Sequence, residues 1–386
     1  MNGIEGRILA DIADIASAAW DACLPGEAEC HAYYRACDAV AAESGVGLRM
    51  AAACAEDGGE VVALAPFFRL NYRLDTPLQG RLRTVGDALF RRVPRLVTVK
   101  ALCIGSPYAE RCHLGFSPKL DAAGRRAAFQ ALAAALEHQA AEEGAHLVVW
   151  KDLAPMEENG FGGLLNQAGF ARLGSLPIAI LDLPFANEAA YLASLSAATR
   201  KDVKRKLAKA ADVRIAFHTD ITGLEREIGD LYEATRAQSG LDYGDLEVLP
   251  PGYFGAVSHA LGERAVFALY WIGDELVAFN LLLVESDRVI DKFLGMRYPL
   301  AREHNIYAVS WMANVRFCLA RGIHKLQSGQ TAYASKLRFG SRLVPSTLHV
   351  RHRLAPLQWA LRSLSPWLGF ERFDPDLAAI ARKKAA

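Results

Sequence analysis

A pattern that occurs twice constrains this chain more than any other feature. Gly58-Gly59-Glu60-Val61-Val62-Ala63-Leu64-Ala65 returns as Gly273-Asp274-Glu275-Leu276-Val277-Ala278-Phe279-Asn280, and each copy reads as a hairpin turn feeding a buried strand. The sequel repeats too. After the first copy come an apolar strand ending at Gly105, an Ala/Leu-rich helix near 122–142, Gly144, and a second apolar strand from His146 to Trp150. After the second come the strand Val289 to Leu294 ending at Gly295, a helix near 306–320, Gly322, and the strand Lys325 to Gln327. Two copies of one strand-turn-strand, strand-loop-helix-strand unit predict a duplicated α/β domain with mixed sheets flanked by helices.

A chain of 386 residues is long for one core and suits two domains. Its net charge of +1 gives no global field for nucleic acid or an anionic surface, so every electrostatic argument is local. The seven cysteines lack the paired spacing of a zinc site, no metal site is expected, and a reducing, cytoplasmic compartment is the simpler reading. The N-terminus has no basic segment followed by an apolar core, and no run reaches the length of a membrane span.

Along the chain, residues 6–56 read as helical, with Ala-rich periodic segments around Ile8 to Cys23 and His31 to Glu43. The stretch from Asn71 to Val97 carries six arginines and reads as a long excursion between strands. Pro177 to Leu183 reads as a returning strand that closes the first domain. Composition changes at Asn187, and a basic helix over Tyr191 to Ala210 follows, with strand Val213 to His218 and helices Gly223 to Gln238 and Tyr253 to Leu261 ahead of the second repeat. The expected division is 1–186, 187–350 and a C-terminal tail, 351–386.

The helix sequence LSAATRKDVKRKLAKA, the central GDELVAFNLLLVESDRVIDKFLG and the ending ARGIHKLQSGQTAYASKLRFGSRLVP, with Gly329, Tyr333, Lys336 and Gly340 in order, together resemble the Fem-like, double-GNAT group of bacterial acyltransferases over roughly residues 20–350. The resemblance implies tandem GNAT-like domains, of which 187–350 is the catalytic one, and acyl transfer from acyl-CoA to a primary amine. The compact Gly-rich loop with which standard GNAT enzymes hold pyrophosphate is missing. In its place Gly295-Met296-Arg297-Tyr298-Pro299 leads through Arg302, His304 and Asn305 into a helix beginning at Ile306 and Tyr307, whose N-terminus can attract anions without particular side chains. Arg302, Asn305, Ile306, Tyr307, Lys336 and Arg338, with Arg200 and Lys204 of the basic helix, are the expected donor-binding residues.

A thioester donor needs its carbonyl polarised, its amine acceptor neutral and its departing thiolate protonated. The resemblance puts the first need at a splayed strand pair, Val289 to Leu294 and Lys325 to Ser328, and sets Tyr333 on the segment where such enzymes place the acid; a buried core tyrosine is the other reading. His304 can serve as base, orient phosphate or cap the helix. Asp291 lies in an otherwise apolar strand, where a carboxylate is expensive unless used or paired, with Lys292 or Lys336 as partners in the second case. Glu285 reads as solvated. No cysteine has the surroundings of a nucleophile. The run Arg200 to Lys209 suits phosphates of a donor, a lipid headgroup or tRNA, or is the wet face of a helix.

In the tail, Leu357, Trp359, Leu361, Leu364, Trp367, Leu368, Phe370 and Phe373 interleave with Arg351, Arg353, Arg362 and Arg372, a pattern that suits a membrane interface, or a tail folded back on the first domain. With the aromatic stretch Leu241-Asp242-Tyr243 to Tyr253-Phe254 it suggests a long-chain amine as acceptor, and a ceramide-forming enzyme acting on a sphingoid base, peripheral to the inner membrane, is the first subgroup by analogy. The rivals are a Fem-type ligase moving an amino acid from aminoacyl-tRNA to a peptidoglycan precursor, and a non-catalytic double-GNAT binding module.

Overall fold

The computed structural model describes residues 3–73, 88, 90–92, 98–239 and 244–385. Its strands in chain order are β1 (Glu5–Leu9), β2 (Met50–Asp57), β3 (Glu60–Arg73), β4 (Thr98–Ile104), β5 (Gly115–Phe116), β6 (Leu147–Leu153), β7 (Ala171–Gly174), β8 (Ile178–Asp182), β9 (Val213–His218), β10 (Ala265–Ile272), β11 (Glu275–Val284), β12 (Arg288–Met296), β13 (Lys325–Gln327), β14 (Arg342–Val344) and β15 (Thr347–His352). They form two mixed sheets, ordered β1-β2-β3-β4-β6-β15-β7, with β5 paired to β3, and β9-β10-β11-β12-β13-β8-β14. Position by position the two orders match, and the duplication read from the sequence is present in full.

The repeat fixes corresponding parts of each sheet. Gly58-Gly59 turns β2 into β3 and Gly273-Asp274 turns β10 into β11, with a break in register at the equivalent place in each hairpin, Ala55/Glu56 and Tyr270/Trp271. The next strand pairs antiparallel, β3 with β4 and β11 with β12, and the following one is parallel, β4 with β6 and β12 with β13. A right-handed crossover helix is the usual way to join parallel neighbours. Here Ala122–Glu142 and Ile306–Ala320 make those connections. Phe129, Leu132 and Leu136 bury the first helix on its sheet, and Trp311, Met312 and Val315 the second.

Two expectations change. The helical reading of residues 6–56 holds only for Ser17–Cys23 and His31–Ser44, because β1 and β2 flank them. Alanine is a strong helix former by propensity, but residues 51–55 are buried beneath a helix that needs small neighbours. The packing is tight enough that a Cβ on Gly6 would lie 2.2 Å from the Ala131 carbonyl oxygen. Tertiary contact overrides local preference here.

The division of the chain also differs. Its compact units are 1–177 with 242–250 and 344–386, and 178–241 with 251–343. β8, expected to close the first domain, pairs with β13 in the second sheet through Lys325↔Asp182, Leu326↔Leu181 and Gln327↔Ile180. β15 pairs with both β6 and β7 in the first. Each half of the sequence therefore gives its last long strand to the other sheet, and residue 350 falls inside β15 rather than at a boundary. Hydrophobic pattern marks a strand but not the sheet that takes it, because pairing between distant segments has no local signal, so it cannot assign β8 or β15. The Asn71 to Val97 excursion and Leu241-Asp242-Tyr243 fall largely or wholly outside the described residues.

Candidate functional site

The two copies differ where β12 meets its neighbours. β3 and β4 pair without interruption from Phe67↔Ile104 to Arg73↔Thr98. The equivalent pair β11/β12 shifts register between Leu281↔Phe293 and Leu282↔Asp291, which leaves Lys292 as an extra residue, a β-bulge. On its other side β12 pairs with β13 only over Arg288↔Lys325, Val289↔Leu326 and Ile290↔Gln327. β13 ends at Gln327 while β12 runs on to Met296. The bulge and the parting of the strands coincide at Asp291, on the strand pair the sequence singles out.

Asp291 is half-buried and accepts hydrogen bonds from the amide nitrogens of Asn280 on β11, 2.8 Å, and Asn314 in the helix Ile306–Ala320, 2.9 Å. Both asparagines are 0% exposed, and each gives an amide N–H to the carboxylate while its Oδ1 stays without a partner. Burial, with a further push from the Asp291 charge, raises the Tyr270 phenol well above its ordinary value and the Cys318 thiol to about 12. The partners expected for the carboxylate were lysines. Asn280 and Asn314 were missed, although a polar residue in the strand FNLLLV or the helix IYAVSWMANVRFCLA carries the same signal that marked Asp291.

Beyond β13 the backbone turns sharply. Gly329, Thr331 and Ala332 all have positive φ, at 74°, 66° and 49°. For Thr331 and Ala332 this left-handed conformation costs about 1–3 kcal/mol each and persists only where the surroundings impose it. Lys336, 6% exposed, imposes it: its ammonium donates to the Gly329 and Gln330 carbonyls, each at 3.1 Å. Lys336 therefore braces the loop. Tyr333 starts the helix Tyr333–Arg338 directly after that loop and is fully buried.

The expected donor-binding residues are placed as follows. The segment after Pro299 is a helical turn, Leu300–Glu303, and the N–H groups of Ala301, Arg302, Glu303, His304 and Asn305 bond to Arg297, Pro299, Pro299, Leu300 and Arg302 carbonyls. Backbone donors of an open phosphate loop are thus consumed internally. Asn305, at φ 52°, starts the helix Ile306–Ala320; its Nδ2 is buried without a partner, and Ile306 is buried in the core. Tyr307 stacks on Phe339, and the Arg302 guanidinium lies 5.1 Å from the Tyr298 ring centre. His304 Nδ1 lies 3.2 Å from Asp212 Oδ1, which leaves Nε2 as the nitrogen turned away from that carboxylate. Asp291, His304 and Tyr333 thus sit in three separate settings: an amide clamp, an ion pair and a helix start.

Arg200 donates to the Ala193 and Leu195 carbonyls at 3.2 and 3.3 Å. Arg338 pairs with Asp202, which also holds Arg205 and Lys206, and these cations keep the Asp202 carboxyl far below its ordinary value, Lys206 and Arg205 most strongly. The basic helix Ala197–Lys209 is thereby partly self-neutralised. Arg200 and Lys204 line an open groove of about 770 Å³ with Asn187, Glu188, Ala189, Leu192 and Ala193. Glu285, expected in solvent, has a side chain only 5% exposed, paired to Arg288 at 2.7 Å. Tyr253 and Phe254 are core residues, packed edge-on to Phe293. All seven cysteines are buried thiols outside any disulfide. Among the described residues no cluster of His, Cys, Asp and Glu is arranged to hold a metal, and no helix is long and apolar enough to cross a membrane.

Residues 197–337 match the family model described as an acetyltransferase (GNAT) domain. The fold is similar to FemX at a TM-score of 0.56 and 13% identity, over 90% of this chain and 98% of that one. It is similar to the C-terminal domain of an Agrobacterium fabrum protein assigned as a lysylphosphatidylglycerol synthetase, at 0.53 and 12%, over 90% and 96%. A tandem GNAT protein from the clavulanic acid biosynthesis pathway matches at 0.50 and 12%, over 90% and 98%. In sequence, 239 residues are 22% identical to a Mycobacterium tuberculosis protein named as 8-amino-7-oxononanoate synthase 2, covering 59% of this chain and 30% of that protein. The chain thus matches less than a third of the length of the curated relatives it resembles.

Proposed function

We propose, from the premise that the chain is a transferase with a tandem GNAT fold of the Fem-like kind and a GNAT acetyltransferase domain at 197–337, that it moves an acyl group from a thioester, acyl-CoA, to a primary amine. One observation carries the reading: the bulge at Lys292 and the parting of β12 from β13 occur together in the second sheet, while the equivalent β3/β4 pairing is regular. Parted strands expose backbone amides to a carbonyl, and preorganised donors aimed at developing charge supply the largest share of catalysis in acyl transfer.

In this reading Tyr333 is the acid that protonates the departing thiolate, His304 oriented by Asp212 is the base that takes the amine proton, and Asp291 fixes β12 under its two amides. Arg302, Asn305, Ile306 and Tyr307 at the helix start, with Arg338, Arg200 and Lys204, are proposed to face the donor's phosphates, and Lys336 to shape the loop beside them. The acceptor is a long-chain amine, such as a sphingoid base, met at the inner membrane by a cytoplasmic enzyme.

A Fem-type transfer from aminoacyl-tRNA is the second reading. It is favoured by the turn Leu300–Glu303, which fills the place of an open phosphate loop, and by the basic helix. The purified chain should be given palmitoyl-CoA with sphinganine, and separately aminoacyl-tRNA with a peptidoglycan precursor, with amide formation followed by mass spectrometry. Amide from the first pair only, together with loss of one amide-linked lipid class in cells lacking the protein, is the expected result; amide from the second pair only overturns it.

A further inference from the structure

Large apolar side chains that stand exposed are concentrated in one short stretch of the chain. Leu354 (50%), Leu357 (52%), Trp359 (73%), Leu364 (49%) and Trp367 (62%) lie within fourteen residues, and only Val46, Met156 and Phe217 join them elsewhere among the described residues. Isolated exposed hydrophobics need no explanation, whereas a concentration of them marks an interaction surface.

The way this stretch is held makes the exposure notable. The helix Ala355–Leu364 has no buried residue. A surface helix ordinarily fixes itself by burying an apolar stripe. This one is pinned by a polar side chain: the Gln358 amide donates to the Gly169 carbonyl at 2.6 Å, and its oxygen accepts from the His352 backbone N–H at 2.7 Å, at the C-terminal end of β15. Hydrogen bonds hold the helix down while both tryptophans remain outside. Pro356 begins it and Pro366 begins the following short turn, Ser365–Trp367, so the stretch is two short pieces with no continuous span.

Charge indicates the occupant. Residues 351–370 contain Arg351, Arg353 and Arg362 and no Asp or Glu, with Arg353 and Arg362 exposed. In a two-fold contact with a second copy, the same patch would meet itself and bring these arginines against their own counterparts with no acid within the stretch to offset them. An anionic lipid surface meets every term: tryptophan rings settle at headgroup depth, leucines reach the acyl boundary, and arginines pair with phosphates.

We propose that residues 354–367 dock the protein reversibly on an anionic membrane, with Trp359 and Trp367 as anchors and Arg353 and Arg362 as the electrostatic contribution. This deepens the reading above by locating the enzyme, but its test does not pass through the reaction. The full chain is mixed with vesicles of phosphatidylcholine, with and without phosphatidylglycerol, and the bound fraction is read by sedimentation against salt. The wild-type chain should bind the anionic vesicles and be released as salt rises. Trp359→Ser with Trp367→Ser should weaken binding about tenfold or more, since partition follows buried apolar area. Arg353→Gln with Arg362→Gln should weaken it by a similar factor and flatten the salt dependence. Both variants should keep the wild-type circular dichroism spectrum and turnover on a short, soluble amine. A wild-type chain that stays in the supernatant, a tryptophan variant that binds as well as wild type, or a concentration-dependent dimer that the tryptophan changes abolish without any vesicle binding, would each overturn the proposal. Vesicle binding with no acyl transfer to any amine would leave this surface standing and refute the reaction.

Discussion

Asp291 shows how a carboxylate survives in an apolar strand. Charge is expensive to bury alone, but two amide donors at 2.8 and 2.9 Å return part of the hydration it loses. Removing either donor takes a buried hydrogen bond from the carboxylate, so Asn314→Ala and Asn280→Ala should each lower stability by about 1–3 kcal/mol, read by urea unfolding. Tyr333→Phe should lower kcat by about 10²–10⁴, as expected for loss of a proton donor; near-wild-type turnover would move the acid elsewhere. A different pair sets the response to pH. His349 on β15 is 0% exposed, and its Nε2 lies 2.7 Å from Glu158 Oε2. Burial lowers the His349 pKa against the opposing pull of Glu158. Burial also opposes ionisation of Glu158, yet hydrogen bonds from His349, Arg172 and Thr347 hold its carboxyl below the ordinary value. Both folded-state pKa values are depressed, so on acidification the unfolded chain binds protons first and stability falls. The His349 share is complete above pH 6.5 and is lost as pH drops below it; the Glu158 share is complete above pH 4.5 and is lost below that. Thermal midpoints measured from pH 8 to pH 4 should decline accordingly, and His349→Gln should flatten the upper part of the decline.

At the scale of elements, the sequence reveals what repeats and conceals what depends on contact. The Gly-turn hairpins at Gly58-Gly59 and Gly273-Asp274, the crossover helices and the parallel strands after them are all readable, because turn chemistry and apolar runs are local. The bulge at Lys292 is not, since one extra residue in a ladder shows only when both strands are seen. The Leu300–Glu303 turn is hidden for a related reason: the residues signal the start of a helix but not that a preceding turn already uses the N–H groups. Gly295, expected to end its strand, lies inside β12 and is paired with Phe279, and the reason for a glycine there is packing. A Cβ there would lie 2.3 Å from Phe279 Cε1 and 2.8 Å from the Tyr232 backbone nitrogen, in the helix Glu225–Ser239. That helix can approach β12 only over a glycine. Gly295→Ala should therefore cost about 1–3 kcal/mol through overpacking, and hydrogen exchange should report the loss first in Glu225–Ser239 and β12.

For the whole molecule, the exchange of β8 and β15 decides what can be made separately. Cutting the chain at 186, where composition changes, would leave the first half without β15 and the second without β8, each lacking a strand from inside its sheet. A fragment ending there should be aggregation-prone on expression, because an open slot between β6 and β7 presents two unpaired edges. The same path imposes an order in time on biosynthesis. β7 emerges at Gly174, but the strand that joins it to β6 is not translated until His352. At ribosomal rates of roughly 5–20 residues per second, the nascent first sheet waits on the order of ten to thirty seconds with its gap unfilled. β8, by contrast, is already available when its neighbours β13 and β14 appear. The half of the sequence that is synthesised first is thus the half whose sheet is finished last.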